Sequence, residues 1–306
     1  MRMLFFSLVS LSICSGCSTT YCESEHAKDT IWGAKTLFAW QHKNKDDADD
    51  KKGNDEGKKE NAKEKADEAD VISTDRPDFT ESSKTVGKGR IQLESGYTYS
   101  RNRQGDVQNQ HSFPEALFRI GLWADWLELR IGQNYSSTQY STSSVSGLDD
   151  LYLGFKLGFT EQKEFLPETA LILQTTVPTG PPGLTAGKTL PGINYLFGWD
   201  VIPDLLTAGG SFQFDVAATE RGQTYLEVAQ SFTVGYAITE KLNSYLEVYG
   251  IEPCGAREPD VGPVYYLNGG FSYKFTPNFQ YDIRAGVGLN KQSDDFFVGS
   301  GFAVRY

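Results

Sequence analysis

Methionine and histidine are nearly missing from these 306 residues, at 2 and 3 copies, while Gly, Phe and Tyr reach 31, 19 and 16. That balance disfavours a helical core and favours strands joined by turns. An excess of positive charge is also missing: 40 Asp and Glu against 29 Lys and Arg leave a net charge of -11. Nucleic acid is therefore excluded as a partner, because phosphate neutralisation needs clustered Lys and Arg. The four Cys stand at irregular spacing and no His-x-x-x-His pair occurs, so neither a metal nor a cofactor is expected. No stretch approaches the roughly 20 apolar residues of a spanning helix.

The chain opens with Arg2 and a short apolar run from Leu4 to Ile13, the pattern of an export signal. Residues 1–17 are read as a signal peptide. Ile13-Cys-Ser-Gly-Cys17 resembles a lipoprotein box and makes Cys17 a candidate lipidation site. The alternative is ordinary cleavage nearby, leaving Cys17 and Cys22 as thiols or a local disulfide. Residues 18–71 read as a charged, largely disordered linker. Between 43 and 70 lie 8 Lys and 11 Asp or Glu with no aromatic or β-branched residue, too little apolar surface to offset the ordering entropy.

From Arg90 the chain alternates with period two. Ile91, Leu93, Tyr97 and Tyr99 oppose Gln92, Glu94, Thr98 and Ser100; Phe279, Tyr281, Ile283 and Ala285 oppose Gln280, Asp282, Arg284 and Gly286. Such runs predict about twelve strands, starting near residues 90, 114, 126, 149, 168, 192, 205, 224, 242, 263, 278 and 295. Most are roughly 9 to 13 residues long, which suits tilted strands crossing an outer membrane. The connections alternate, although Glu161–Pro167 is longer than a tight turn and Thr219–Gln223 shorter than its long counterparts. Asn102–Ser112, Tyr135–Gly147, Pro178–Pro191 and Glu252–Gly262 are long, whereas those at Trp123–Asp125, Ile202–Asp204, Thr239–Lys241 and Thr276–Asn278 are tight. One end of such a meander carries loops and the other only turns.

A soluble sandwich or lipocalin-like barrel would turn the apolar face inward. The many glycines on the polar face, such as Gly96, Gly121, Gly158 and Gly286, suit a crowded lumen better than a solvated surface. The aromatic-rich apolar face would overfill a small inner barrel. The fold class expected is therefore all-β: a transmembrane antiparallel up-and-down β-barrel of about twelve strands over residues 72–306, with a short pre-barrel segment at 72–89. Trp126, Phe159, Trp199, Tyr236, Phe275 and Phe279 would form a girdle at the turn end, and Tyr99, Tyr195 and Phe296 one at the loop end. The last strand, ending in Tyr306, resembles the signal read by barrel assembly machinery, a partner along with outer-membrane lipid. The loops are expected outside and both termini in the periplasm.

Ser73-Thr-Asp-Arg-Pro-Asp-Phe-Thr-Glu-Ser82, Gly89–Tyr99, Leu127-Glu-Leu-Arg-Ile-Gly132, Gly147–Lys156, Pro178-Thr-Gly180 and Asn290 with Asp294–Gly299 resemble the MetA-pathway of phenol degradation family. The resemblance covers residues 72 to 306 and implies an outer-membrane transporter or channel.

Function rests on the inward face. Its candidate lumen-lining charges are Glu94, Glu115, Glu128, Asp150, Asp215, Glu227, Glu247 and Asp282 against Arg119, Arg130, Lys156, Lys274, Arg284 and Arg305, with Tyr152, Tyr245 and Tyr249 as aromatic contacts. Opposing charges fill a lumen of this size, since wide aqueous channels belong to barrels of about 16 strands. A narrow path for a small, aromatic or hydrophobic solute is the expected function, and a structural role for the same side chains is the alternative. Asp75, Arg76 and Asp78 precede the first strand and are candidates to plug the mouth or to serve as a solvated lead-in. Two rivals stay open. One is a non-conducting anchor. The other is a lipid hydrolase with a lipid-facing Ser–His pair, disfavoured because His26 and His42 precede the barrel and His111 falls in an expected loop. No enzyme is expected.

Overall fold

The computed structural model describes residues 71–103, 107–219, 221–257 and 261–306. The signal peptide, the linker and the lipidation of Cys17 lie outside the described residues. Among the described residues no helix is long and apolar enough to cross a membrane, and the chain crosses with strands. Fifteen segments form one antiparallel sheet: β1 (Ile91–Arg101), β2 (Val107–Ser112), β3 (Ala116–Gly121), β4 (Leu127–Gln133) and β5 (Tyr135–Tyr140). Then come β6 (Ser144–Leu148), β7 (Leu151–Thr160), β8 (Glu168–Val177), β9 (Leu190–Ile202) and β10 (Leu206–Ala218). β11 (Thr224–Ala237), β12 (Leu242–Cys254), β13 (Val264–Thr276), β14 (Phe279–Gly288) and β15 (Phe296–Arg305) complete it.

Three pairs of segments are single strands interrupted once. β2 and β3 both pair with β1; β4 continues into β5, and β6 into β7. The fifteen segments thus make twelve strands. The interruption at Phe113–Glu115 has a local cause: Pro114 has no N–H to give the ladder, and Glu115 takes a positive φ of 46°. Pairing persists up to Pro114, with Phe113 and Tyr135 exchanging N–H···O bonds of 2.9 and 3.1 Å, and the ladder resumes at Ala116 opposite Gln133. β1 then pairs with β15 over Gln92↔Arg305 through Arg101↔Phe296, so the barrel closes on itself, and only the short β6, which pairs with β5 alone, keeps an edge at the loop end.

The two faces are inverted relative to a water-soluble barrel. Glu94, Arg119, Glu128, Arg130 and Lys156 are at most 1% exposed, whereas Leu246 is 60% exposed and Phe118, Phe155, Phe212, Phe271 and Ile283 also point out. An apolar outer face with ion pairs inside is stable only in lipid, where closure satisfies every ladder hydrogen bond. Trp126, Phe159, Tyr236 and Phe275 stand exposed at the turn end. Trp199 donates its indole N–H to the Phe165 carbonyl at 3.0 Å there.

Two expected loops are largely strand. Residues 107–112 form β2 within the expected connection 102–112, and 135–148 form the β5–β6 hairpin where a Ser- and Thr-rich loop was expected. His111 accordingly lies on β2, opposite Tyr99 and Ser137, instead of in a loop. Its Nδ1 bonds the Tyr97 hydroxyl at 2.8 Å. Glu115 and Asp150, expected on strands, sit at interruptions between β2 and β3 and between β6 and β7.

Candidate functional site in the barrel lumen

Residues 72–89 run inside the barrel as a turned-back segment that enters and leaves at the turn end. Ile72 donates its N–H to Pro277 O at 2.8 Å at the entry, and Gly89 donates to Gly121 O at 3.0 Å at the exit. Between these points it reaches its deepest contacts at Pro77 and Phe79. The Pro77 carbonyl accepts from the Tyr245 hydroxyl at 3.3 Å and from Arg284 Nη1 at 3.1 Å. Phe79 stacks on Tyr249 with ring centroids 4.3 Å apart and planes 2° from parallel.

Asp75 is the hub of the entry arm. Its carboxylate meets Lys156 Nζ at 2.8 Å and Arg119 Nη1 at 3.4 Å, and pairs with Arg130. Burial alone would raise its pKa, but Arg119, Lys156 and Arg130 together hold the carboxyl well below the usual carboxylate range. The Asp75 and Arg76 N–H groups donate to Glu94 at 3.1 Å. Arg119 grips Glu128 through two bonds of 2.8 and 3.0 Å, a bidentate fork that fixes both planes. Arg76 bonds Glu115 at 2.7 Å and Asp282 at 3.3 Å. It has room because Gly96 and Gly301 face each other across the β1–β15 seam, where a Cβ at either would overlap the guanidinium.

The exit arm is held chiefly through its backbone. Phe79 and Thr80 donate N–H bonds of 2.8 and 2.6 Å to Glu247, whose carboxylate also accepts from Asn268 at 2.7 Å. Thr80 and Ser231 share a hydroxyl bond of 2.6 Å. Glu81 pairs with Arg130, the Ser82 carbonyl accepts from Lys156 at 2.8 Å, and Val86 donates to Glu128 at 2.9 Å. Burial and the neighbouring Glu247 carboxylate push the Asp78 carboxyl well above its ordinary value.

Most expected lumen residues are thus brought together around this segment: Glu94, Glu115, Arg119, Glu128, Arg130, Lys156, Tyr245, Glu247, Tyr249, Asp282 and Arg284. Two are elsewhere at the turn end. Arg305 bonds the Asn278 amide oxygen at 2.8 and 3.0 Å, closing the last turn, and Lys274 lies half-buried near the end of β13. Asp150 accepts N–H bonds from Thr179, Gly180 and Ala186 at 3.0 to 3.1 Å, which ties down the loop between β8 and β9.

Tyr152, Asp215 and Glu227 belong to a second region. They border a cavity of about 550 Å³ on the loop side of the segment, against β7 to β11, with Phe79 and Glu81 as its floor. Sequence reasoning missed Thr80, Glu81 and Asn194. Thr80 and Glu81 lie in the stretch that carries the family resemblance, and Asn194 alternates inward on β9.

A closed barrel with an apolar outer face and a polar, filled interior defines the class: a transmembrane β-barrel of the outer-membrane type. Residues 74–306 match the family described as "Putative MetA-pathway of phenol degradation", and the chain belongs to that family. Among solved structures, an outer membrane channel from Pseudomonas putida F1 is 11% identical and superposes with a TM-score of 0.59, over 76% of this chain and 99% of that one. At that identity it shows the fold alone. The KdgM porin (9% identity, TM-score 0.45, 70% and 98% covered) and the CymD monoaromatic hydrocarbon channel (10%, 0.40, 71% and 88%) are more distant matches. No curated protein sequence matches the chain significantly.

Proposed function

We propose that this protein is an outer-membrane channel for small solutes whose lumen is closed at the turn end by its own residues 72–89. The carrying observation is the ionic seat around Asp75, where a segment contiguous with β1 fills the lumen between β1, β3, β4 and β7. Three further points follow from this reading. The loops face outward and both termini the periplasm, since long connections gather at the end opposite residues 72 and 306. The C-terminal strand ending in Tyr306 engages the barrel assembly machinery. The solute passes the loop-end cavity, where Tyr152 and Phe79 offer aromatic faces.

A non-conducting structural barrel is the second reading, and one observation favours it: the seat is dense, with Asp75, Glu94, Glu128 and Glu247 all bonded. Planar-bilayer recording separates the two. The wild-type barrel is expected to show small conductance steps, and a variant lacking residues 73–86 to show several-fold larger ones. A folded deletion variant that passes no current would establish the structural reading. A lipid hydrolase gains no support from His111, because no hydrogen bond joins it to Ser137 among the described residues.

A further inference from the structure

We infer that the loop-end cavity is a binding site for a small organic cation, an amine-bearing solute with an aromatic or aliphatic body, in preference to a neutral phenol or an anion. The inference deepens the reading of the lumen as a solute path and rests on it.

The cavity presents carboxylates and no basic side chain. Asp215 and Glu227 face each other as direct cross-strand partners on β10 and β11, and both border the cavity. Like charges directly opposite destabilise an antiparallel pair unless something lies between them. No Lys or Arg borders the cavity, and among the described residues neither carboxylate has a salt bridge. Asp215 is held by two amide donors, Gln174 at 2.8 Å and Gln213, which fixes its direction without neutralising it. Glu227 has no hydrogen bond among the described residues. Glu81, on the floor, is already matched by Arg130.

A separate observation points the same way. Asn194 borders the cavity and is only 3% exposed, yet its Oδ1 has no hydrogen-bond partner. The amide cannot be turned to cure this, because its Nδ2 faces Glu81 Oε2 at 3.4 Å and a carboxylate only accepts. A buried acceptor left open is costly, and Asn194 carries it at the border of the cavity. The cavity volume of about 550 Å³ is in the range for a small organic ligand. Phe79 and Tyr152 on its wall suit a cation's attraction to aromatic faces. The backbone is shaped for this arrangement as well: Gly192 lies opposite Asp215 on β9, and a Cβ there would overlap the Asp215 carboxylate.

The test is calorimetric titration of the full-length, detergent-solubilised barrel with three probes of one shape: phenethylammonium, 2-phenylethanol and phenylacetate. Phenethylammonium is expected to bind at least about tenfold more tightly than the other two, a factor in keeping with one charge-assisted hydrogen bond. Glu227→Gln and Asp215→Asn should each remove most of that preference, and Glu227→Lys should shift it toward phenylacetate. Equal binding of the alcohol and the cation, or cation binding unchanged in both neutralised variants, would overturn the inference. Heat-modified gel mobility of each variant shows that it is folded. Bilayer current reads the pathway separately: current without cation preference removes only this inference, whereas cation binding without current in any variant removes only the channel.

Discussion

The two halves of this lumen are built on opposite plans. At the turn end three cations and the carboxylates of Asp75, Glu94 and Glu128 saturate one another around a segment of the same chain. At the loop end Asp215 and Glu227 face a cavity with no cation on its wall. Saturated polar groups hold a structure, and unsaturated ones leave interactions for a visitor. The contrast assigns retention to one half and recognition to the other, although both were drawn from the same inward face of the same strands.

The sharpest way to break this contrast is to unsettle the seat. Arg130→Ala strips a partner from Asp75, Glu81 and Glu128 at once. Removing one member of a buried ion cluster costs about 3–5 kcal/mol. Urea unfolding should show a loss of that size, and bilayer recording larger current steps. Unchanged values in both would mean the segment is a passenger. Next in size, Leu246→Arg on the lipid face should cost about 2–4 kcal/mol in unfolding from lipid vesicles, with unitary current unchanged. A change in current from that outward position would erase the division between wall and lumen. Smaller again is Phe79→Ala, which removes the stack on Tyr249. Its expected cost is about 0.5–1.5 kcal/mol beyond lost burial, read as faster proteolysis at residues 77–82.

The smallest effect is a pH dependence of opposite sign at two neighbouring carboxyls. The Asp75 carboxyl is held low, so the stability it contributes is present above its unfolded value, about 3.9, and is lost as pH falls below that. The Asp78 carboxyl is pushed up, so its contribution is full below the unfolded value and is lost as pH rises through the folded one. Asp78→Asn should therefore hold the segment more firmly at neutral pH and flatten the dependence on that side. Hydrogen exchange at Phe79 and Thr80 across pH 5 to 8 measures it, and a steeper dependence in the variant would show the assignment to be wrong.

The twelve strands were legible because one face of each meets lipid and the other a polar interior, which writes period two into the sequence. The pattern fails where that asymmetry ends. β2 (Val-Gln-Asn-Gln-His-Ser), β5 (Tyr-Ser-Ser-Thr-Gln-Tyr) and β6 (Ser-Val-Ser-Gly-Leu) carry no continuous apolar face, so they read as loop. They are strands because the ladder continues beyond the apolar band, not because a side-chain pattern demands it. The charges of the site were equally legible as an inward set, but their partners were not. Glu94 and Glu247 are matched largely by backbone N–H groups of residues 75, 76, 79 and 80, and a backbone donor leaves no mark in a sequence. Asn194 gave no signal beyond its place in the alternation, since its meaning lies in an acceptor that nothing fills.

The internal segment joins parts of the chain that lie far apart in sequence. It bonds early strands through Glu94, Arg119 and Lys156 and late ones through Ser231, Glu247 and Asp282, the last two 167 and 206 residues from their partners Thr80 and Arg76. The early strands supply the cations that hold Asp75, whereas without β11, β12 and β14 the Arg76 guanidinium would keep only Glu115 and Thr80 would have neither Ser231 nor Glu247. The segment thus ties the two ends of the sheet to each other as well as to itself: Arg76 lines the β1–β15 seam from within at Gly96 and Gly301, so the closed wall and its filling are one structure and not two.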